Sequence, residues 1–182
     1  MTTFGRLLDS AIDGSLAPLL DDGGFHRRSR RSREWTRDNQ LQVRVLPDSK
    51  ANDPYSGGAF TLEFEVSADG RFGHKLAGRV LAEQLLDPQQ RARFVAKRNA
   101  LAELWGVPPA AHLAVIPEFL HEQYLRHFAA VSELEPQFGM RFRTREEAGE
   151  WAELIARELP TLIARAETLS PRELYLGSAL EW

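Results

Sequence analysis

From Gly24 to Val66 the chain carries a pattern that fits an antiparallel sheet and little else. Leu41, Val43 and Val45 alternate with Gln42 and Arg44, and Phe60, Leu62, Phe64 and Val66 alternate with Thr61, Glu63 and Glu65. A period of two puts each apolar set on one face, so both segments are predicted to be half-buried strands. Ahead of them, Phe25–Arg28 and Glu34–Asp38, with Trp35 as the apolar member, read as strands closed into a hairpin by the tip Ser29–Ser32. Between the clear strands, Pro47–Ala59 (PDSKANDPYSGGA) is dense in turn formers. A connection of that length is uncommon in compact domains unless it serves a purpose or moves.

The flanks are helical. Phe4, Leu7, Leu8, Ala11, Ile12, Leu16, Leu19 and Leu20 recur at three- and four-residue spacing, one stripe of an amphipathic helix. Pro18 should kink it or begin a second short helix, and Gly23-Gly24 should stop it. After Gly73 the chain reads helical, with Leu76–Leu86 as a short helix. Asp87-Pro88-Gln89-Gln90 opens the next by N-cap, first-turn proline and third-position glutamine, and Gly106 with Pro108-Pro109 closes it. Pro117–Ala130 is a further predicted helix. Phe138, Met140 and Phe142 alternate as a short strand returning to the sheet. Thr144-Arg145-Glu146-Glu147 is a capping box for a helix that carries Trp151, Leu154, Ile155, Leu162, Ile163 and Leu169 and bends at Pro160. Ser170-Pro171-Arg172-Glu173 restarts a short final helix.

These elements predict a single α+β domain over residues 1–182, an antiparallel sheet of four or five strands packed by the N-terminal helix and several C-terminal helices. Trp35, Phe60, Leu62 and Phe64 should share one buried cluster with Leu8, Ile12 and Leu16, because each element has a single apolar face to bury.

Apolar residues make up 43% and charged residues 27%, the balance of a soluble globular chain. No basic start followed by an apolar run and no apolar stretch of membrane-spanning length is present, which predicts a cytoplasmic protein with no membrane partner. With no cysteine, disulfide scaffolds, thiol catalysis and cysteine zinc sites are excluded. Residues 27–50 hold eight Arg or Lys against three acids, net +5, which leaves −8 for the rest of a chain whose total is −3. That acidic remainder disfavours general nucleic-acid affinity.

The helix with Pro18 and Leu19-Leu20, the corner Gly24-Phe25, the basic run ending in Trp35 and Arg37, the Asp48-Ser49-Lys50 turn and the strand Phe60–Val66 resemble the N-terminal half of the bacterial family known as domain of unknown function 4304. Phe142, Arg143, Glu146, Trp151 and the helix reaching Leu159-Pro160 are similar to the end of some members. Many members have glutamine two residues before the serine that matches Ser49, and here that place is Pro47, so a role attached to that glutamine does not carry over. The resemblance implies a fold and no activity.

Chemical templates fail one by one. His121-Glu122-Gln123-Tyr124-Leu125 starts like a zinc protease helix but has Leu125 where the second histidine belongs, and Glu118 with His121 lacks the second copy that a di-iron site needs. No nucleophile elbow or phosphate loop is present. Lys50 stands where a calcium loop around Asp48, Asn52 and Asp53 would need an acid. No metal, cofactor or catalytic residue is therefore expected. The arginine cluster rises above this background, since arginine binds carboxylate and phosphate bidentately. Arg28, Arg30, Arg37, Arg44, Lys50 and Tyr55 are the candidate ligand-binding residues of a non-enzymatic module for a protein or anionic ligand.

Its competitor is a merely solvated hairpin, with Glu63 and Glu65 neutralising arginines that alternate away from Trp35. Two other classes stand beside it: an enzyme with a dispersed site drawn from His26, Asp48, Glu63 and His121, and a nucleic-acid binder. The face bearing Arg28, Arg44 and Glu63 discriminates, because an open face is a site and a covered one an ion-pair layer.

Overall fold

The computed structural model describes residues 3–29, 31–48, 53–67, 69–73, 78–134 and 139–170. Arg30, Ser49, Lys50, Phe138 and the helix expected from Pro171 onward lie outside them. Helix α1 (Thr3–Ala11) runs into one π turn, Ile12–Leu16, where the Ala17 N–H donates to the Ile12 carbonyl five residues back. Pro18, which has no N–H to give, then sits in the first turn of α2 (Ala17–Asp22) and begins that second helix. Ile12, Leu16 and Leu20 all stay buried through the change of pitch. The stop is a Schellman motif: Gly24 adopts φ 78°, its N–H donates to Asp21 O at 3.1 Å, and the Phe25 N–H donates to Leu20 O at 2.9 Å.

Among the described residues, six strands form one antiparallel sheet: β1 (His26–Arg27), β2 (Glu34–Arg37), β3 (Leu41–Pro47), β4 (Gly58–Val66), β5 (Gly78–Leu81) and β6 (Met140–Phe142). The order is β1-β2-β3-β4-β5, and β6 pairs with the first residues of β4. Asp38 and Asn39, both near φ 50° (51° and 52°), make the tight turn between β2 and β3, a conformation that short Asx side chains tolerate. Register places Trp35, Val43, Phe64 and Val80 in one transverse row, all buried. That face packs against α1, the π turn and α7 (Arg145–Thr168), and Trp35, Phe60, Leu62 and Phe64 share one cluster with Leu8, Ile12 and Leu16. The opposite face carries the row Glu34, Arg44 and Glu63.

The sheet has one strand more than the upper expectation, and the addition is β5, in a stretch predicted to be helical. Helix α3 keeps only Ala82–Leu85 of that segment. The four residues of β5 pair along Glu63–Val66 and complete the hydrogen bonding of β4 on its second side, a long-range gain invisible to local periodicity. The helix expected over Pro117–Ala130 is also broken, into 3-10 turns at Glu118–Leu120 and Arg126–Phe128 around α6 (His121–Leu125), after the short α5 (Ala110–Leu113). Its last carbonyls are diverted to α4 (Pro88–Trp105): Arg98 donates to Arg126 O and Ala129 O, and Asn99 exchanges two hydrogen bonds of 2.9 Å with the Val131 backbone. The capping boxes of α4 and α7 form as the sequence predicts, through Asp87 with Gln90 and Thr144 with Glu147. Helix α7 continues past Pro160 to Thr168. Among the described residues no helix is long and apolar enough to cross a membrane.

Glu83, in the first turn of α3, is buried, and its Oε2 has no hydrogen-bond partner. Burial pushes its carboxyl up from the usual 4.5 to about 7, against its own backbone N–H and the more distant Arg91. A raised folded-state value means that its contribution is full below 4.5 and is lost as pH rises through about 7. Glu83→Gln removes that loss, so thermal melts should show the variant gaining on its parent by ~1–3 kcal/mol between ~pH 5 and ~pH 8. An unchanged difference across that range would mean that Glu83 is solvated.

Candidate functional site

Most arginines of the basic segment are committed to acids of the same chain. Arg27 Nη1 donates to Asp13 Oδ1 at 2.7 Å, and its guanidinium lies 4.7 Å from the Trp35 ring centre. Arg33 reaches Asp9 Oδ1 at 2.7 Å and Gly5 O at 3.2 Å. Arg37 pairs with Glu167 near the end of α7, donates to Gly23 O at 3.3 Å and covers the Phe25 ring. Arg44 pairs with Glu63 and, at 3.2 Å, with Glu65, which Arg79 approaches from β5 at 3.5 Å. With Arg44 15%, Glu63 12% and Glu65 0% exposed, this part of the outer face is an ion-pair layer. Of the basic segment, Glu63 and Glu65 therefore neutralise Arg44 alone among the described residues, while the acids that hold the hairpin arginines come from α1, the π turn and α7. Strand register explains the difference: Arg27 lies opposite Trp35 and Arg37 opposite Leu41, so both reach toward the helices. Half-exposed pairs of this kind contribute ~0–1 kcal/mol each, so their effect is to fix where the hairpin sits.

Arg28 and Arg31 are different. Both are exposed and make no ion pair with a described residue. Together with Ser29, Ser32 and the edge at Pro47 they border an open groove of about 500 Å³, into which Glu34 also faces. The hairpin tip is thus the only part of the cluster, among the described residues, whose guanidinium groups are uncommitted.

Tyr55 belongs to a second locus. The turn Asp53–Gly57 is closed by the Gly57 N–H on Asp53 O at 2.7 Å, and Asp53 Oδ1 accepts the Tyr55 N–H, the Ser56 N–H and the Tyr124 hydroxyl, each at 2.8 Å. His112 Nε2 stands 3.1 Å from Asp53 Oδ2 and 2.9 Å from the Tyr124 hydroxyl, and the Tyr55 ring packs 4.2 Å from the His112 ring. Burial pushes the Asp53 carboxyl up, but the N–H donors of Ser56 and Tyr55, the Tyr124 hydroxyl and nearby His112 outweigh it and hold the carboxyl below its usual range. Burial, and after it Asp53, pushes the Tyr124 hydroxyl well up, so Tyr124 stays a donor. Three donors thus converge on Oδ1, while His112 alone lies against Oδ2. The cluster resembles an acid–base constellation in composition, and its contacts make it a latch that ties the turn to α5 and α6.

Of the six sequence candidates, Arg28, Arg37, Arg44 and Tyr55 fall at different places, and Arg30 and Lys50 lie outside the described residues. His26, Asp48, Glu63 and His121 lie on or beside β1, β3, β4 and α6 respectively, and His121 Nε2 lies 2.7 Å from Ile116 O. Among the described residues no three His, Asp or Glu side chains are grouped as a metal would require. His112 and Tyr124 were not legible as partners of the loop, since nothing local signals contacts of 59 and 71 residues in sequence with Asp53. Comparison with family models, with curated proteins and with solved structures finds no match.

Proposed function

We propose that the chain is a non-enzymatic binding module that receives an anionic group, carried by a partner protein or a ligand, at the tip of the β1–β2 hairpin. One observation carries the reading: Arg27, Arg33, Arg37 and Arg44 are each held by an acid of the same chain, whereas Arg28 and Arg31 extend beside an open groove. The held arginines fix the hairpin, and the two extended ones present donors suited to carboxylate or phosphate. The acidic body repels long polyanions and so favours a compact acidic group at the tip. Kinship with domain of unknown function 4304 belongs to the same proposal, supported by the motifs between Pro18 and Val66, and it adds no activity.

The test is fluorescence anisotropy with a labelled glutamate-rich peptide. Binding should weaken as salt is raised, because exposed charges are screened over ~8 Å at physiological ionic strength. Arg28→Glu combined with Arg31→Glu should lower affinity at least ~10-fold at low salt with an unchanged thermal melt. Equal affinity in the parent and the double variant would leave the tip as a solubilising feature only.

A further inference from the structure

Behind the latch, between β6 and α4, lies a small cationic cavity that shares no lining residue with the hairpin groove. Arg141 is the central residue. It alternates with the buried Met140 and Phe142 on β6, so its side chain leaves the apolar core on the other side of the strand. Its Nη1 donates to Ser56 O at 3.1 Å, while its Nε is buried without a hydrogen-bond partner. No described carboxylate comes within ion-pair distance of it.

Burial pushes the guanidinium down to about 10, with Asp48, Tyr124 and Asp53 opposing from a distance and Arg98 reinforcing. At neutral pH it therefore remains a cation. Burial first, then Arg141 and Arg98, push His127 down to about 3, so the imidazole stays neutral beside them. Arg98 brings a second guanidinium to the same wall, where its donors meet the backbone carbonyls of Arg126 and Ala129.

The remaining walls are Leu101, Gly139 and the indoles of Trp105 and Trp151. Both indole N–H groups are engaged elsewhere, Trp105 on Glu147 Oε1 and Trp151 on Arg141 O, each at 2.8 Å, so the rings offer the cavity apolar surface only. The space is about 20 Å³, room for one group little larger than water. A nucleotide or a sugar phosphate does not fit, while a halide or the carboxylate end of a small acid does. An anion there would supply a counter-charge that no described carboxylate gives the half-buried guanidinium.

We propose that this cavity is a binding site for a small monovalent anion, a halide or a single carboxylate group, held against Arg141 between Trp105 and Trp151. The site is independent of the hairpin tip. Sodium bromide and sodium formate, each titrated at constant ionic strength against sodium methanesulfonate, distinguish the two sources of the charge.

The expected result is a saturable change in tryptophan fluorescence with at least one of the two salts, accompanied by a rise in melting temperature with its concentration, as binding to the folded state requires. Arg141→Met should abolish both effects, and Arg28→Glu with Arg31→Glu should leave both intact. Quenching that grows linearly without saturation, with a melting temperature indifferent to anion identity, overturns the proposal on the parent protein alone, even should Arg141→Met fail to fold. A saturable response that survives in a folded Arg141→Met variant overturns it as well.

Discussion

Replacing Trp35 by alanine should cost ~3–5 kcal/mol, the range for truncating a large aromatic in a packed core. The indole is fully buried, pairs in register with Val43, and joins the cluster that unites the π turn with β3 and β4. Its loss also removes the platform under Arg27, whose ion pair with Asp13 helps to fix the hairpin. Trp35→Phe should cost distinctly less, because the indole N–H makes no hydrogen bond and a ring remains beneath the guanidinium. Urea unfolding with an unchanged denaturant slope measures both variants. An alanine variant within ~0.5 kcal/mol of the parent would show that Trp35 contributes little to this core.

What the sequence revealed of this fold, and what it hid, divides by range. Helix starts at Asp87 and Thr144, the stop at Gly24 and the faces of β3 and β4 depend on residues a few positions apart, and each was legible. Strand β5 depends on an open edge of β4, and Val80-Leu81-Ala82 by itself suits a helix as well as a strand. The same division governs charge. That the arginine segment is basic is plain from composition, but that Asp9, Asp13 and Glu167 neutralise it depends on how α1, the π turn and α7 cross the sheet.

At the second locus the loop was marked by its length, and Tyr55 and Asp53 by their place in it. Tyr124 sits inside the stretch that a zinc template examines and rejects, and its hydroxyl is the group there that reaches Asp53. Arg141 gave no signal beyond strand alternation, which predicts that it faces away from Met140 and Phe142 but not that a helix and two indoles enclose it.

Gly57→Ala should be the most damaging single substitution in the loop, because two separate penalties fall on it. Gly57 adopts φ 72°, in the left-handed region that costs a residue with a Cβ ~1–2 kcal/mol. An added Cβ would also overlap the Phe142 carbonyl oxygen and come within 2.8 Å of its carbonyl carbon, both backbone atoms of β6 that no rotamer change can move aside. Overpacking of this kind costs a further ~1–3 kcal/mol. Gly73→Ala is the control, since Gly73 has φ 75° but no atom of a described residue within 4 Å of the new methyl group. It should lose only the backbone part, and the difference between the two variants isolates the clash. Relief requires β6 to separate from β4, where Phe142 faces Gly58, or the turn to lift from Asp53. Either movement shifts Arg141 away from Ser56 O, so Gly57→Ala should weaken the saturable anion response at temperatures where the protein is still folded, and Gly73→Ala should not. Equal stability losses in the two variants would mean that β6 yields to the methyl group without cost.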